Sequence, residues 1–371
     1  MQKFGGVSNV FTQLMLNMPK EIECKLALLE SDNIHLKESG LMNVYPLADS
    51  YDDFLGGLSF RGKGRLYNMW TQIAPSQTSK GRNVMSSIAE IKRGDFDIFH
   101  PTFFDDYFLN YLNGKPYVLT IHDMIAEKYL PSNDMQIVNK RKMVKSAAHI
   151  VAVSEHTKQD IIDMLGVDPH KISVIPLAVP DFETTIDKPI INEKYILFVG
   201  HRDSYKNFKP MVEAIAPIMK LHQDIKLVCT GLPFDKKELR FLSALDLVRQ
   251  TIHLCVSDKE LRNLYKYALC FVFPSEYEGF GIPILEAYQQ NCPVLLNKRS
   301  CFPEVAHDAA IYFNLDRNGS DLTKVMDEFL RMSLEDINNL LKRQRKRLCD
   351  FSWKKSAGQL ANVYRLVLDQ I

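Results

Sequence analysis

Two carboxylates eight positions apart, Glu278 and Glu286, bracket a segment that holds Gly279, Gly281 and Pro283. The run CFVFP just upstream is short, apolar and bounded by turn residues, so it reads as a buried strand. Pro283 suits the first position of a helix, where its missing N–H costs nothing. Asn291 is a natural left-handed stop at the far end. The spacing therefore predicts strand, glycine turn and helix. The glycines let a ligand come close to the backbone, and the free N–H groups of a helix start favour an anion. One carboxylate falls on the turn and the other in the first helical turn, so both can reach polyol hydroxyls beside that anion. Such an arrangement suits a nucleotide sugar.

Other residues could serve the same chemistry. The loop HRDSYKN after Gly200 places Arg202 and Lys206 between a strand and a helix, where two cations can clamp a diphosphate; taken alone, the loop fits a solvated basic turn equally well. Near the start, QKFGG, with Gly5 and Gly6, runs into an amphipathic helix with Val7, Val10, Phe11, Leu14, Met15 and Met18 at helical spacing. Ser8 is a candidate cap for it. His100 and His122 fall at predicted strand ends, and Ser154 reads as a helix cap. Asp95-Phe96-Asp97 is a D-x-D triplet that could hold a divalent cation through hard oxygen ligands. It follows a turn signal and precedes a strand, so it reads as a solvated turn.

These residues need a scaffold. DIFHP, KPYVLTIHD, HIVAV and KISVIPLAV read as strands, with SEHTKQDIIDMLG a helix closing at Gly166. EKYILFVG, DIKLVCTG and the strands leading to CFVFP repeat the alternation. Strands alternating with helices predict doubly wound α/β domains with parallel sheets, whose ligands bind at the carboxyl ends of the strands. Pro180 to Pro189 is polar, with proline at both ends, as expected of a linker. The expected domains are 1–182, joined by a returning terminal helix 352–371, and 190–351. Pro217 is expected to kink or end the helix that begins near Phe208.

The EGFG turn, the following IPxLEA and the later PEVA (Pro303 to Ala306) resemble the E-x7-E signature of family 4 retaining glycosyltransferases, which have the GT-B fold of two Rossmann-like domains facing across a cleft. The resemblance runs from Gly5 to the terminal helix. It implies that Glu278 contacts the transferred sugar, that His122 faces it, and that Arg202 and Lys206 hold the diphosphate. Glu286 would hold the ribose, and Gly5, Gly6, Gly200, Gly279, Phe280 and Gly281 would line the donor site. It further implies retention of anomeric configuration, no metal or other cofactor, and a lean towards mannose. Two departures stand out. His307 occupies a place where the family often has glycine. The first strand of the N-terminal sheet, which the family places just before the QKFGG loop, is expected to be missing. A nucleotide-sugar epimerase on the same fold and a catalytically silent nucleotide-sugar binder are the alternatives.

Composition agrees with this class. The chain has 371 residues, 46% hydrophobic and 25% charged, which suggests two domains of ordinary globular type. A net charge of +1 offers no polybasic surface for nucleic acid. The seven cysteines are scattered without a C-x-x-C pair, as reduced core thiols would be. No membrane span or signal peptide is legible, so a cytoplasmic protein is expected. The resemblance implies a nucleotide-sugar donor, a glycan or lipid-linked acceptor, and peripheral contact with the inner membrane face.

Overall fold

The computed structural model describes residues 5–41, 54–55, 58–180, 188–202, 204–316 and 319–371. It divides into two compact units. One comprises Met1–Ala152, Lys158–Ile175 and Trp353–Ile371; the other comprises Val153–Thr157 and Pro176–Ser352.

In the first unit α1 spans Gly6–Leu16 and buries Val10, Phe11 and Leu14. Its N-cap is Gly5 in an extended conformation, and Ser8 lies inside the helix, buried, rather than capping it. Gln2 to Phe4 lie outside the described residues, as does the place where a first strand was expected. Helix α2, Ser79–Arg93, is capped by Thr78, whose hydroxyl accepts from the Gly81 N–H, and stops at left-handed Gly94. Strands β1 (Val118–Ile121), β2 (His149–Ala152) and β3 (Ile172–Val174) form a parallel sheet in that order. Helix α3, Met135–Ser146, connects β1 to β2, and α4, Glu155–Leu165, connects β2 to β3. Strands β1 and β2 are buried throughout, as expected when helices cover a parallel sheet. DIFHP does not form the expected strand. Only Phe99 bridges β1's neighbour Tyr117, and Pro101, which cannot donate to a ladder, follows closely. The C-terminal helix, Trp353–Leu368, belongs to this unit and packs on α1.

The second unit holds a six-stranded parallel sheet in the order β6-β5-β4-β7-β8-β9. Its strands are β4 (Lys194–Phe198), β5 (Ile225–Thr230), β6 (Thr251–Leu254), β7 (Cys270–Phe273), β8 (Val294–Asn297) and β9 (Ile311–Phe313). Helices α5 (Phe208–Leu221), α6 (Lys236–Ala244), α7 (Asp258–Tyr267) and α8 (Ile282–Gln289) connect them. The core joins Ile196, Phe198 and Leu227 of the sheet to Phe208, Met211 and Ile215 of α5. Pro217 does not end α5, which runs four residues further to Leu221. Pro217 and Glu213, whose carbonyl the proline leaves unpaired, are both exposed, so water can satisfy that carbonyl. The strand order reverses between β4 and β7. Their carboxyl ends, adjacent in the sheet, form the topological switch point where ligands bind in open α/β sheets.

Candidate active site

The loops after β4 and β7 carry most of the expected residues. Gly200 leaves β4 at φ 115°, a conformation that only glycine adopts without strain. Asn207, left-handed, precedes α5, and its amide donates to the Pro274 carbonyl at 3.2 Å. The Tyr205 carbonyl accepts from the Glu276 N–H at 2.8 Å, so the two loops are tied by their backbones. Across this tie Lys206 Nζ meets Glu278 Oε1 at 2.5 Å, with side chains 17% and 13% exposed. The residue expected on the diphosphate and the residue expected on the sugar thus form one ion pair at the switch point.

The Glu278 backbone is held as well. Ser300 Oγ donates to the Glu278 carbonyl at 2.6 Å and accepts from its N–H at 3.1 Å. The Cys301 thiol donates to the same carbonyl. Ser300 sits at φ 51°, unusual for a residue with a side chain, and its two hydrogen bonds compensate the strain. Neither residue was singled out in the sequence, because no local pattern signals a contact 22 positions away. Gly281 adopts φ 88°, and a Cβ there would lie 3.1 Å from Phe302 and Ile284. This glycine is therefore explained by backbone and packing. The Gly279 carbonyl accepts from Ser154 Oγ at 2.6 Å and Thr157 Oγ1 at 3.1 Å. Ser154 also accepts from the Thr157 N–H, which is the expected cap of α4. The carboxylate of Glu304, in PEVA, accepts from the N–H groups of Glu155 and His156 and completes that cap.

Helix α8 begins as expected, with Pro283 in its first turn and Asn291 left-handed beyond its end. Glu286 is its fifth residue, so it lies on the second turn rather than the first. Desolvation pushes its carboxyl up to about 7, and the Tyr265 hydroxyl donates to it at 3.3 Å. Phe280 is buried, edge-on to Phe351. His307, where glycine is usual, adopts φ 48° and ψ −126°, the very geometry that glycine accommodates best.

Arg202, the other expected cation, is also ion-paired. Its guanidinium makes two bonds to Glu238, at 2.6 and 3.2 Å, and donates to the Leu232 carbonyl at 2.6 Å. It also lies 4.6 Å from the Phe234 ring centre. Only Nη1 is buried without a hydrogen-bond partner among the described residues. The partner Glu238 was not foreseen, since its sequence role is the capping box of α6.

In the first unit the two histidines differ. His100 is saturated: Nδ1 bonds the Tyr364 hydroxyl at 2.7 Å and Nε2 bonds Thr120 Oγ1 at 2.9 Å. Burial, then the His122 charge, lowers it to about 3. His122 follows β1, edge-on to Phe11 at 5.9 Å, with Nε2 buried and unpartnered among the described residues. Burial, then the charge of Lys140, lowers it to about 4. Among the described residues, nothing lies within 4 Å of a Cβ built at Gly6, at the start of α1. Asp95 of the D-x-D triplet is 88% exposed and pairs with Lys25 at 3.1 Å.

Residues 4–181 match the family described as Glycosyltransferase Family 4, and residues 181–347 match Glycosyl transferases group 1. The chain belongs to the family 4 glycosyltransferases. Among its relatives in the family, the O-antigen chain mannosyltransferase RfbU of Salmonella typhimurium is 32% identical over 61% of this chain, and the match spans 64% of RfbU, just under two thirds of its length. The MMP alpha-(1->4)-mannosyltransferase of Mycolicibacterium hassiacum is 26% identical over 82% of this chain and 79% of its own. HepE of Anabaena, solved with UDP and glucose, superposes at a TM-score of 0.71 and 13% identity over 98% of this chain and 99% of its own. Sucrose-phosphate synthase of Thermosynechococcus elongatus gives 0.62 at 17% identity, over 88% and 84%. The fold is therefore the two-domain α/β fold of GT-B glycosyltransferases.

Proposed function

We propose that this family 4 member transfers a hexose from a nucleoside-diphosphate sugar to a glycan or lipid-linked acceptor, with retention and without a metal, in surface-polysaccharide synthesis. The observation that carries this reading is the Lys206–Glu278 pair bridging the two loops of the switch point. A diphosphate arriving there offers Lys206 a charge-assisted partner and releases Glu278 to accept from sugar hydroxyls. Arg202 has only Nη1 to offer, so Lys206 is the principal cation. Glu286, when ionised, accepts from the ribose hydroxyls, and the N–H groups at the start of α8 add to the anion site. The glycines Gly5, Gly6, Gly200 and Gly279 let the backbone come close to the donor.

The bond from the anomeric carbon to the diphosphate oxygen breaks, and negative charge builds on the phosphate that Lys206 faces. The acceptor oxygen bonds to the same face of the sugar, and its proton passes to the departing phosphate. His122, neutral at physiological pH, contributes Nε2 as an uncharged hydrogen-bonding group towards the sugar. The names of the relatives favour mannose as that sugar.

The acceptor side is read from the first unit's surface. Among the described residues no helix is long and apolar enough to cross a membrane. The helix Lys63–Ile73, however, exposes Leu66, Met69 and Ile73. Exposed Arg61 and Arg65 lie beside them, and the stretch 54–89 contains no acidic residue. An apolar stripe with basic flanks supports peripheral contact with an anionic membrane surface. Failure to co-sediment with anionic vesicles at low salt would remove that part of the proposal.

Turnover of labelled GDP-mannose in the presence of EDTA tests the reaction. The expected outcome is GDP release unaffected by EDTA and an α-linked product. An inverted product, or activity lost to EDTA and restored by manganese, overturns the mechanism. Binding of GDP without any turnover favours a silent binder.

A further inference from the structure

A second buried ion pair lies behind His122. Lys140 of α3 is fully buried and Glu127 is 2% exposed, with Nζ to Oε2 at 2.8 Å. The same ammonium donates to the Asp123 carbonyl at 3.2 Å and lies 4.5 Å from the Phe104 ring centre. Glu127 Oε1 is left buried without a hydrogen-bond partner among the described residues. Removing a lysine and a glutamate from water costs more than their attraction returns in most proteins, and an apolar pair of similar volume is often as stable. The pair therefore calls for a reason other than stability.

The geometry supplies one. Asp123 follows His122 directly, and its carboxylate accepts from the Ile125 N–H at 2.9 Å. Lys140 holds the Asp123 carbonyl from behind, so the peptide carrying His122 is fixed at its carboxyl side. His100, held by Tyr364 and Thr120, and Phe11 of α1 flank the site from the other elements. What remains open is His122 Nε2. We infer that Lys140, anchored by Glu127, is a positioning residue that fixes the turn after β1 so that His122 presents Nε2 to the donor sugar. This rests on the reading of His122 as a donor-site residue.

A mutant cycle tests it. The variants are His122→Ala, the apolar pair Lys140→Met with Glu127→Leu, and all three together, each measured for kcat and KM with GDP-mannose and for melting temperature. Misplacing a reacting group by about 1 Å costs as much as about a hundredfold, so the apolar pair should lose most of its kcat while KM and melting temperature change little. In the His122→Ala background the same two changes should cost nothing further. Losses that multiply, or full turnover in the apolar pair, overturn the inference. Unchanged turnover in His122→Ala instead sinks the reading of His122 on which it rests. Should the apolar pair fail to fold, Glu127→Gln decides, because its amide oxygen leaves Lys140 on the Asp123 carbonyl. That variant should keep most of its turnover, and a loss as deep as that of His122→Ala overturns the inference.

Discussion

The loops at the switch point of the second unit and the histidine turn of the first solve opposite problems. In the loops every expected ion already has a partner: Lys206 meets Glu278, and Arg202 meets Glu238. In the turn, His122 keeps a buried nitrogen without a partner among the described residues while His100 has none. The difference follows from charge. An unpaired half-buried ion costs several kcal/mol, whereas one unsatisfied neutral donor or acceptor costs about 1–3 kcal/mol. An ionic site must therefore be internally paired until a ligand exchanges the partners. A neutral site can wait with an open valence.

The largest effect expected on this contrast comes from Glu278→Ala. It removes a contact that strengthens as charge develops on the sugar, so kcat should fall about a hundredfold. It also frees Lys206, so calorimetry should find GDP affinity undiminished. Loss of GDP affinity in this variant would make the pair a binding device and erase the division of roles. Arg202→Ala comes next. It removes the charged partner of Glu238, whose carboxylate keeps only the Asp235 N–H of the capping box, and chemical denaturation should show a loss of about 2 kcal/mol. A stable Arg202→Ala protein with weakened GDP binding would restore Arg202 as a principal clamp.

The smallest effect concerns Glu286. Its folded-state carboxyl titrates near 7, above the ordinary glutamate value. The folded protein therefore holds a proton that the unfolded chain has lost, and stability declines as pH rises from the ordinary value to about 7 and is flat beyond. Glu286→Gln should match wild type near pH 4 and exceed it at pH 8, by roughly 1–3 kcal/mol for a shift of this size. If the ionised form holds the ribose, the wild-type donor KM should also improve between pH 6 and 8 while that of the variant stays level. Stability curves that remain parallel across this range would show that the carboxyl is not desolvated.

Local signals were strong where chemistry and backbone geometry coincide. The strand, glycine turn and helix around EGFG, the Ser154 cap, the stops at Gly166 and Asn291 and the parallel α/β alternation are all legible, because each depends on residues within a few positions of one another. The D-x-D triplet was legible as an exposed turn for the same reason. The DIFHP strand was misread, and so was Pro217 as an end of its helix. Pairing partners in a sheet, and the solvent exposure of one face of a helix, are set by distant parts of the chain.

What the residues determined alone was the kind of chemistry: two glutamates bracketing a glycine turn, two cations on a matching loop, and a histidine after a strand. Which of them answer each other was decided only by folding. The sheet order sets β4 beside β7 and so joins Lys206 to Glu278 over 72 positions, while Arg202 pairs with Glu238 over 36. Burial then separates two histidines that look alike in sequence, saturating His100 and leaving His122 open. Charge pairing and desolvation act through space, and the spacing of residues along a chain does not encode them.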